Sequence, residues 1–472
     1  MVKKQRGFKA TILPRTLSAS FAGIRAGSAL AADSVVQRVL GRGPDDADSE
    51  FARREAHKFV RDLGKLKGTY IKIGQMLALF GEQFLPRVLV NALRDLSDQT
   101  EPLHWDALES SVRDSLGERY KELDIDPEAI AAASLAQVHL ARVRSSGEWI
   151  CLKLQYPGLA QVIDADFDAV VRMLLLARWV KSGRDLDDWL ESMREHLHNE
   201  IDYRREAAST RKMSELVAGV HGTSARYHVP QLYPYYCTDT VLAMEYIEGV
   251  SVVDPDVAGL SLQRRNALGK GMLELFFYEL YEWGMLQTDP NFGNYLLRLD
   301  DRRKKIADDE LVLLDFGSVL HCSEHFLRNL RQTIEAGQQQ DVPRLVEGLI
   351  GLGCLQKETT EDGCKIFADF CMHLLEPLRP PEQLPAEYLN ANGEYCWGKS
   401  QLMRRAAKKA AMATTSRQFV TPSRDFALIA RKLTGLFNFI AALDAEFNAH
   451  EMVQLHIHRW QIKEKNAAKK ER

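Results

Sequence analysis

The chain has 472 residues, 45% hydrophobic and 27% charged, with a formal net charge of -3. This is the composition of a globular protein long enough for two or three domains, and its near-neutral charge gives no basis for nucleic acid as the main partner. No apolar run approaches the ~20 residues of a membrane span, and the seven scattered cysteines, with no CxxC pair, read as buried thiols in a reducing compartment rather than a zinc site.

Residues 1–32 carry Lys3, Lys4, Arg6, Lys9, Arg15 and Arg25 and no acid. A basic, serine-containing start of this kind reads as a transit peptide or a membrane-surface helix, with a solvated basic tail as the plain alternative. Gly41-Arg42-Gly43-Pro44 then breaks the chain, which sets off residues 1–48 as a separate basic segment. Residues 49–125 are predicted helical. Phe59, Val60, Leu63 and Leu66 recur at three- and four-residue steps, and Lys72 and Gln75 share one helix face.

Around residue 130 the period changes. Ala131–Ala141 turns into an alternating strand and Trp149–Leu154 reads as a second, joined by a turn at Gly147, with Lys153 on the second strand between apolar flanks. Helices are expected over 156–215, carrying Glu200, Asp202 and Glu206. Strands follow at 229–233 and 240–246, the latter containing Glu245, and Ile247-Glu248-Gly249 leaves the sheet. Taken singly, Lys153 reads as a solvent-facing strand lysine and Glu206 as part of a charged amphipathic helix. Residues 126–249 are thus expected to form a small sheet with inserted helices.

Residues 250–460 are expected to be mainly helical. After a helix over 261–283 comes Gln287-Thr288-Asp289-Pro290-Asn291-Phe292-Gly293-Asn294, then a hairpin of 295–297 with 311–314, then Asp315-Phe316-Gly317. Phosphoryl transfer needs a carboxylate near the nucleophile and oxygen ligands that hold Mg2+ against the phosphates. An Asp, an Asn five residues on and a following Asp-Phe-Gly are the catalytic elements of a protein-kinase fold in their proper order. Helix resumes soon after His321 and there is no Ala-Pro-Glu, so little chain is available to dock a peptide. A looser Pro-rich stretch covers 377–385, a basic run covers Arg404–Lys409, and residues 461–472 read as a charged tail, disordered from Lys463.

Together these stretches resemble the UbiB (AarF-type) atypical kinase-like family, in particular its coenzyme Q biosynthesis branch. The matching segments are Lys72-Ile73-Gly74-Gln75, Ala131–His139, Leu152–Gly158, Glu200–Tyr203, Glu206-Ala207, Gln287–Asn294 and Asp315–Gly317. The resemblance spans about residues 50–445. It implies an α+β, bilobal, atypical protein-kinase-like fold with an N-terminal helical extension and a helical C-lobe. It implies ATP and Mg2+ as cofactors. Lys153 would hold the nucleotide phosphates and pair with Glu206, Asp289 would stand at the catalytic-base position, and Asn294 and Asp315 would bind the metal. Ala132, Ala133 and Ser134 would replace the kinase glycines at the nucleotide. Glu245, beside the hinge, would join the cofactor-binding residues. The Lys72–Gln75 helix would fold over the active site, with Lys72 near Glu200 and Asp202 and Gln75 facing the nucleotide.

The function implied is an atypical kinase-like ATPase supporting ubiquinone biosynthesis or quinone lipid handling. The alternatives are a nucleotide-binding scaffold of a lipid-biosynthesis complex and a protein kinase. Partners implied are quinone-pathway lipids or enzymes and peripheral contact with anionic membrane, in the cytoplasm or, with a transit peptide, the mitochondrial matrix. Many bacterial members read His-Ala-Asp-Pro-His-Pro-Gly-Asn at the loop, whereas Gln287–Asn294 resembles the mitochondrial form. Bacterial members often end in two membrane spans, and this sequence carries no comparable apolar run.

Overall fold

The computed structural model describes residues 50–66, 68–81, 84–96, 102–177, 179–180, 186–300, 309–414 and 423–470. The expected basic segment, residues 1–48, lies outside these. The chain divides into two compact units: residues up to 208 together with 231–246, and residues 209–230 together with 247 onward.

The first unit begins with α1 (Glu50–Leu66), α2 (Thr69–Phe80) and α3 (Arg87–Leu93). The heptad-like spacing of Phe59, Val60 and Leu63 places one apolar stripe of α1 inside, against Ile73 and Leu77 of α2 and Leu89 of α3. Gly74 lets these helices close up, because a Cβ there would collide with the Leu96 side chain. After α4 (Glu109–Leu116) come β1 (Leu123–Ala132), β2 (Ala136–Val143) and β3 (Trp149–Gln155), and then α5 (Leu159–Leu176) and α6 (Leu186–Glu200). Phe167 and Val170 of α5 and Leu197 of α6 complete the helical core. The chain leaves this unit along α7 (Tyr203–Ala218), forms β4 (Arg226–His228) in the second unit, and returns as β5 (Val241–Glu245). The sheet is antiparallel with the order β1-β2-β3-β5.

Two strand expectations are corrected here. The sequence reading places one strand over 131–141, but residues 133–135 form a turn ahead of β2, and before that turn comes β1. Its register shifts twice, between Ile125 and Ala129 and between Ala129 and Ala131, and this interrupts the alternation that marks a strand. The strand expected at 229–233 reduces to an isolated bridge, Leu232 with Met244. Pro230 supplies no N–H to extend it into a ladder.

In the second unit, α8 (Leu262–Phe277) runs into a π-helical turn, Tyr278–Trp283. Then follow β6 (Met285–Gln287), β7 (Tyr295–Arg298), β8 (Glu310–Leu313) and β9 (Val319–His321). β7 and β8 form the expected antiparallel hairpin, with Tyr295 opposite Leu313, β4 adds in parallel to β8, and β6 pairs with β9. The longer helices after the sheets are α9 (Glu324–Gln339), α10 (Val342–Gly351), α11 (Glu361–Leu374), α12 (Leu402–Thr414), α13 (Arg424–Ala442) and α14 (His450–Lys470). One core runs through them, including Leu268, Phe276, Phe316, Ile334 and Phe437. Only five residues lie between Gly317 and Ser323, whose hydroxyl caps α9 by accepting from Phe326 N. No helix among the described residues is long and apolar enough to cross a membrane.

The charged end of the chain, expected to be disordered from Lys463, instead continues α14 as helix to Lys470. The cause lies upstream. Val453, His456 and Ile457 are buried, and Trp460 packs against Tyr281 and beneath the Arg331 guanidinium, so the docked half of the helix nucleates the rest.

His456 is wedged between Phe277, Tyr278 and Tyr281. Burial, with Arg459 adding to it, pushes its imidazole down to about 4. The folded state therefore holds His456 neutral while the unfolded chain takes up a proton below the ordinary value. The stability this contributes is present above pH ~6.5 and is lost as pH falls toward the folded value. At about pH 5 the loss is expected to reach about 2 kcal/mol. Urea unfolding of the native protein should show this drop relative to neutral pH, and His456→Phe should flatten it.

Candidate active site

Each unit carries part of the expected site. In the first, Ile150, Leu152 and Leu154 of β3 point into the core, so Lys153 projects from the opposite face. Its Nζ donates to Glu206 Oε1 at 2.6 Å and lies 5.6 Å from the centre of the Tyr203 ring. Glu206 is buried in the first turn of α7. Asp202 caps that helix: its Oδ1 accepts from Arg205 N at 3.0 Å. The cap fixes where α7 starts, and hence where Glu206 meets Lys153.

Lys72 projects from α2 and pairs with Glu200 Oε1 at 2.6 Å. The structure thus brings Lys72 to the first acid of the Glu-x-Asp segment, while the exposed Asp202 side chain serves as the cap. The turn between the two acids is held by Gln155, whose Nε2 donates to Ile201 O at 2.8 Å. Gln75 is half-buried one turn after Lys72. Glu245 makes a reciprocal contact with Gln231: its N donates to Gln231 O at 2.8 Å, and its Oε2 accepts from Gln231 N at 3.1 Å.

The Ala132-Ala133-Ser134 turn between β1 and β2 is pinned at both ends. Ala133 N donates to Ala136 O at 2.8 Å, and Tyr156 Oη donates to Ala133 O at 3.1 Å. Ser134 is buried and Ala133 exposed. The neighbouring Gln137 and His139 turn out to be a clamp. Gln137 exchanges two hydrogen bonds with the backbone of Leu103, and its Nε2 also lies 2.7 Å from His139 Nε2. His139 Nδ1 lies 2.7 Å from Asp126 O. A carbonyl only accepts, so Nδ1 carries the proton and Nε2 accepts from Gln137. Burial pushes this imidazole below its ordinary value, consistent with a neutral ring.

In the second unit the loop from Gln287 to Asn294 is built around the Asp289 carboxylate. Asn294 Nδ2 donates to Asp289 Oδ2 at 2.9 Å and to Asp289 O at 3.1 Å. Because the amide nitrogen is spent on Asp289, the Asn294 side-chain oxygen is turned away from it. Leu314 N donates to Asn294 O at 3.0 Å, which sets Asp315 beside Asn294 in the fold. Asp315 Oδ1 accepts from Gly317 N at 2.8 Å, closing the Asp-Phe-Gly turn, and Phe316 is buried. An amide oxygen and a carboxylate are hard donors, the set that Mg2+ takes from protein when phosphates supply the remainder.

Sequence reasoning missed the residues that hold this loop. Arg431 Nη2 donates to Asp289 Oδ1 at 2.6 Å. Lys432 Nζ lies 3.1 Å from Glu279 Oε2 and 3.3 Å from Gln287 Oε1, with only 4% and 2% of the Lys432 and Glu279 side chains exposed. Burial opposes the Lys432 charge, but Glu279 and Tyr295 outweigh it and hold the ammonium above its ordinary value. Gln287 Oε1 also accepts from Tyr295 Oη at 2.9 Å, and its Nε2 donates to Asp289 O at 2.6 Å. Gly435 sits against Pro290, and Phe439 packs edge-on to Phe292 and Tyr295. Arg431, Gly435 and Phe439 are four residues apart on α13, so a single helix face seats the whole loop. The only signal in the sequence was that face itself.

Residues 95–349 match the model of the ABC1 atypical kinase-like domain. The chain is 28% identical over 351 residues to the atypical kinase COQ8, mitochondrial, of Saccharomyces cerevisiae, covering 74% of this chain and 67% of that one. It is 27% identical over 448 residues to the atypical kinase COQ8B, mitochondrial, of Rattus norvegicus, covering 94% and 80%. It is also 27% identical over 414 residues to the probable serine/threonine-protein kinase abkA of Dictyostelium discoideum, covering 84% and 70%. Among solved structures, Rv3197 of Mycobacterium tuberculosis in complex with erythromycin matches with a TM-score of 0.56 at 22% identity, covering 86% of this chain and 96% of that one. That last likeness is one of fold.

A Cβ at position 435 would collide with the Pro290 ring, which has no flexible end to move aside. Gly435→Ala is therefore expected to cost about 1–3 kcal/mol. Calorimetry should show a Tm lowered by several degrees, and Gly219→Ala, where a Cβ meets only ordinary van der Waals contact, serves as a glycine control.

Proposed function

Since the chain belongs to the ABC1 atypical kinase-like family, an α+β kinase-like fold of the atypical kinase class, we propose that it uses Mg2+ and ATP in support of ubiquinone biosynthesis or quinone lipid handling. The observation that carries the reading is the 2.6 Å contact of Lys153 with Glu206, two residues 53 positions apart. An assembled lysine–glutamate pair of this kind is what kinases require before the phosphates can be bound productively. In this reading Lys153, with the Ala132-Ala133-Ser134 turn, takes the phosphates through a charge and backbone amides. Asn294 and Asp315 take Mg2+, whose role when bound is to neutralise phosphate charge. Asp289 orients the nucleophile and accepts its proton.

The expected acceptor is water or a small lipid-pathway molecule. Support comes from the segment after Gly317: β9 pairs with β6 at once and α9 starts at Glu324, so no long activation segment is available to dock a peptide. The relatives named as mitochondrial suggest an organelle, with mitochondrion the proposed location. Contact with anionic membrane would be peripheral, through exposed basic residues of α12 such as Lys408.

A nucleotide-regulated scaffold is the reading from another class. It would use the Asp289 carboxylate only as the acceptor that holds Asn294 and Arg431, a part that an amide oxygen can fill in place of one carboxylate oxygen. Steady-state ATP hydrolysis, with and without anionic liposomes, is expected to fall at least about a hundredfold in Asp289→Asn. Cells lacking the gene should lose quinone and accumulate its intermediates, and Asp289→Asn should fail to restore them. Restoration by that variant would favour the scaffold.

A further inference from the structure

We propose that Arg431 is a catalytic residue, the cation that meets the transferring phosphoryl group at Asp289. The inference rests on the reading in which Asp289 faces the nucleophile, and it adds a residue that the kinase-like motifs do not contain. The loop Gln287–Asn294 holds no lysine or arginine of its own. Its Asn291, two residues after Asp289, turns back to accept from Gly293 N at 3.0 Å. Positive charge at this carboxylate therefore comes from elsewhere in the chain, from α13.

Arg431 and Lys432 are adjacent cations with opposite situations. Lys432 is buried and engaged with Glu279, Gln287 and Tyr295, which makes it structural. Arg431 is 35% exposed and Asp289 29%. A guanidinium has five N–H donors. One is spent on Asp289 Oδ1, and among the described residues the others make no hydrogen bond. The carboxylate is not used up by this contact, because Oδ1 and Oδ2 each keep a lone pair beyond those given to Arg431 and Asn294. The group is also held in place: Gly435 against Pro290 and Phe439 against Phe292 fix the helix to the loop one and two turns later.

The chemistry fits the unspent donors. In the transfer, the acceptor oxygen bonds to the γ-phosphorus as the bond from that phosphorus to the β,γ-bridging oxygen breaks. ADP leaves with the electron pair, and the acceptor proton passes to Asp289. Charge is spread over three equatorial oxygens meanwhile. A planar guanidinium fork matches two such oxygens, and an ammonium does not. With Asp289 as its anchor, Arg431 approaches the phosphoryl group from the side of the nucleophile.

The test compares single-turnover ATP hydrolysis in the wild type, Arg431→Ala, Arg431→Lys and Asp289→Asn, with the Tm and the affinity for Mg-ATP of each. Arg431→Ala is expected to lose about a hundredfold to a thousandfold in rate at saturating ATP, with Mg-ATP affinity within about threefold of wild type. Millimolar guanidinium should restore part of the Arg431→Ala rate, and ammonium should not. Arg431→Lys should stay at least about tenfold slow. Wild-type turnover in Arg431→Ala, or in Arg431→Lys if the alanine variant does not fold, overturns the proposal. So does a slow Arg431→Ala that guanidinium leaves unchanged. Full activity in Asp289→Asn would instead overturn the underlying reading of the loop.

Discussion

The buried ion pair of Lys432 with Glu279 is the interaction on which the loop Gln287–Asn294 depends. Taking Lys432 and Glu279 out of water costs several kcal/mol per ion, and such a pair persists only where further hydrogen bonds satisfy both charges. Here Gln287 Oε1 and Tyr295 Oη accept from Lys432, and Gln287 N donates to Glu279 Oε1. The same Gln287 donates to the backbone oxygen of Asp289. Breaking the pair from one side would strand a buried charge, at a cost of roughly 3–5 kcal/mol. The π-helical turn that carries Glu279 follows from the same constraint: it swings Glu279 to where Lys432 arrives. Turns of this type interrupt helices mostly at functional sites.

The first unit solves a matching problem with local devices. For Lys153 to meet Glu206 at 2.6 Å, the start of the helix that carries the glutamate must be fixed. A cap by Asp202 sets the start of α7, and Gln155 holds the turn that precedes it. The strand bearing Lys153 and the loop bearing Glu200 and Asp202 are thus joined by the side chain two residues beyond the lysine. The Gln137–His139 clamp ties the loop at Leu103 to the same sheet. Several residues of the recognisable motifs therefore act as fasteners, and fewer of them face the chemistry than the motifs alone suggest.

What was legible in the sequence was whatever lies close together along the chain. Asp289 with Asn294, and Asp315-Phe316-Gly317, are short-range patterns whose residue types are dictated by metal and phosphate chemistry. The β7–β8 hairpin and the helices from α5 to α11 follow from periodicity. The parts that were hidden depend on tertiary context. β1 has a broken register and a proline, so it lacks alternation. The end of α14 is polar, and its helicity is inherited from the docked turns around His456 and Trp460. Arg431 and Lys432 lie more than 130 residues beyond their partners in an ordinary amphipathic helix. Only the fold shows that one face of that helix meets a loop with which it has no local relation.

The proposed reading requires that the chain bind ATP together with a metal ion. Calorimetric titration of ATP into the full chain, in the presence of Mg2+ and again with excess chelator, tests it most directly. The account predicts one saturable site per chain and an affinity weakened at least about tenfold on chelation, since the ligand charge that Asn294 and Asp315 face would then go unneutralised. Absence of binding, or the same binding with the metal removed, would contradict it.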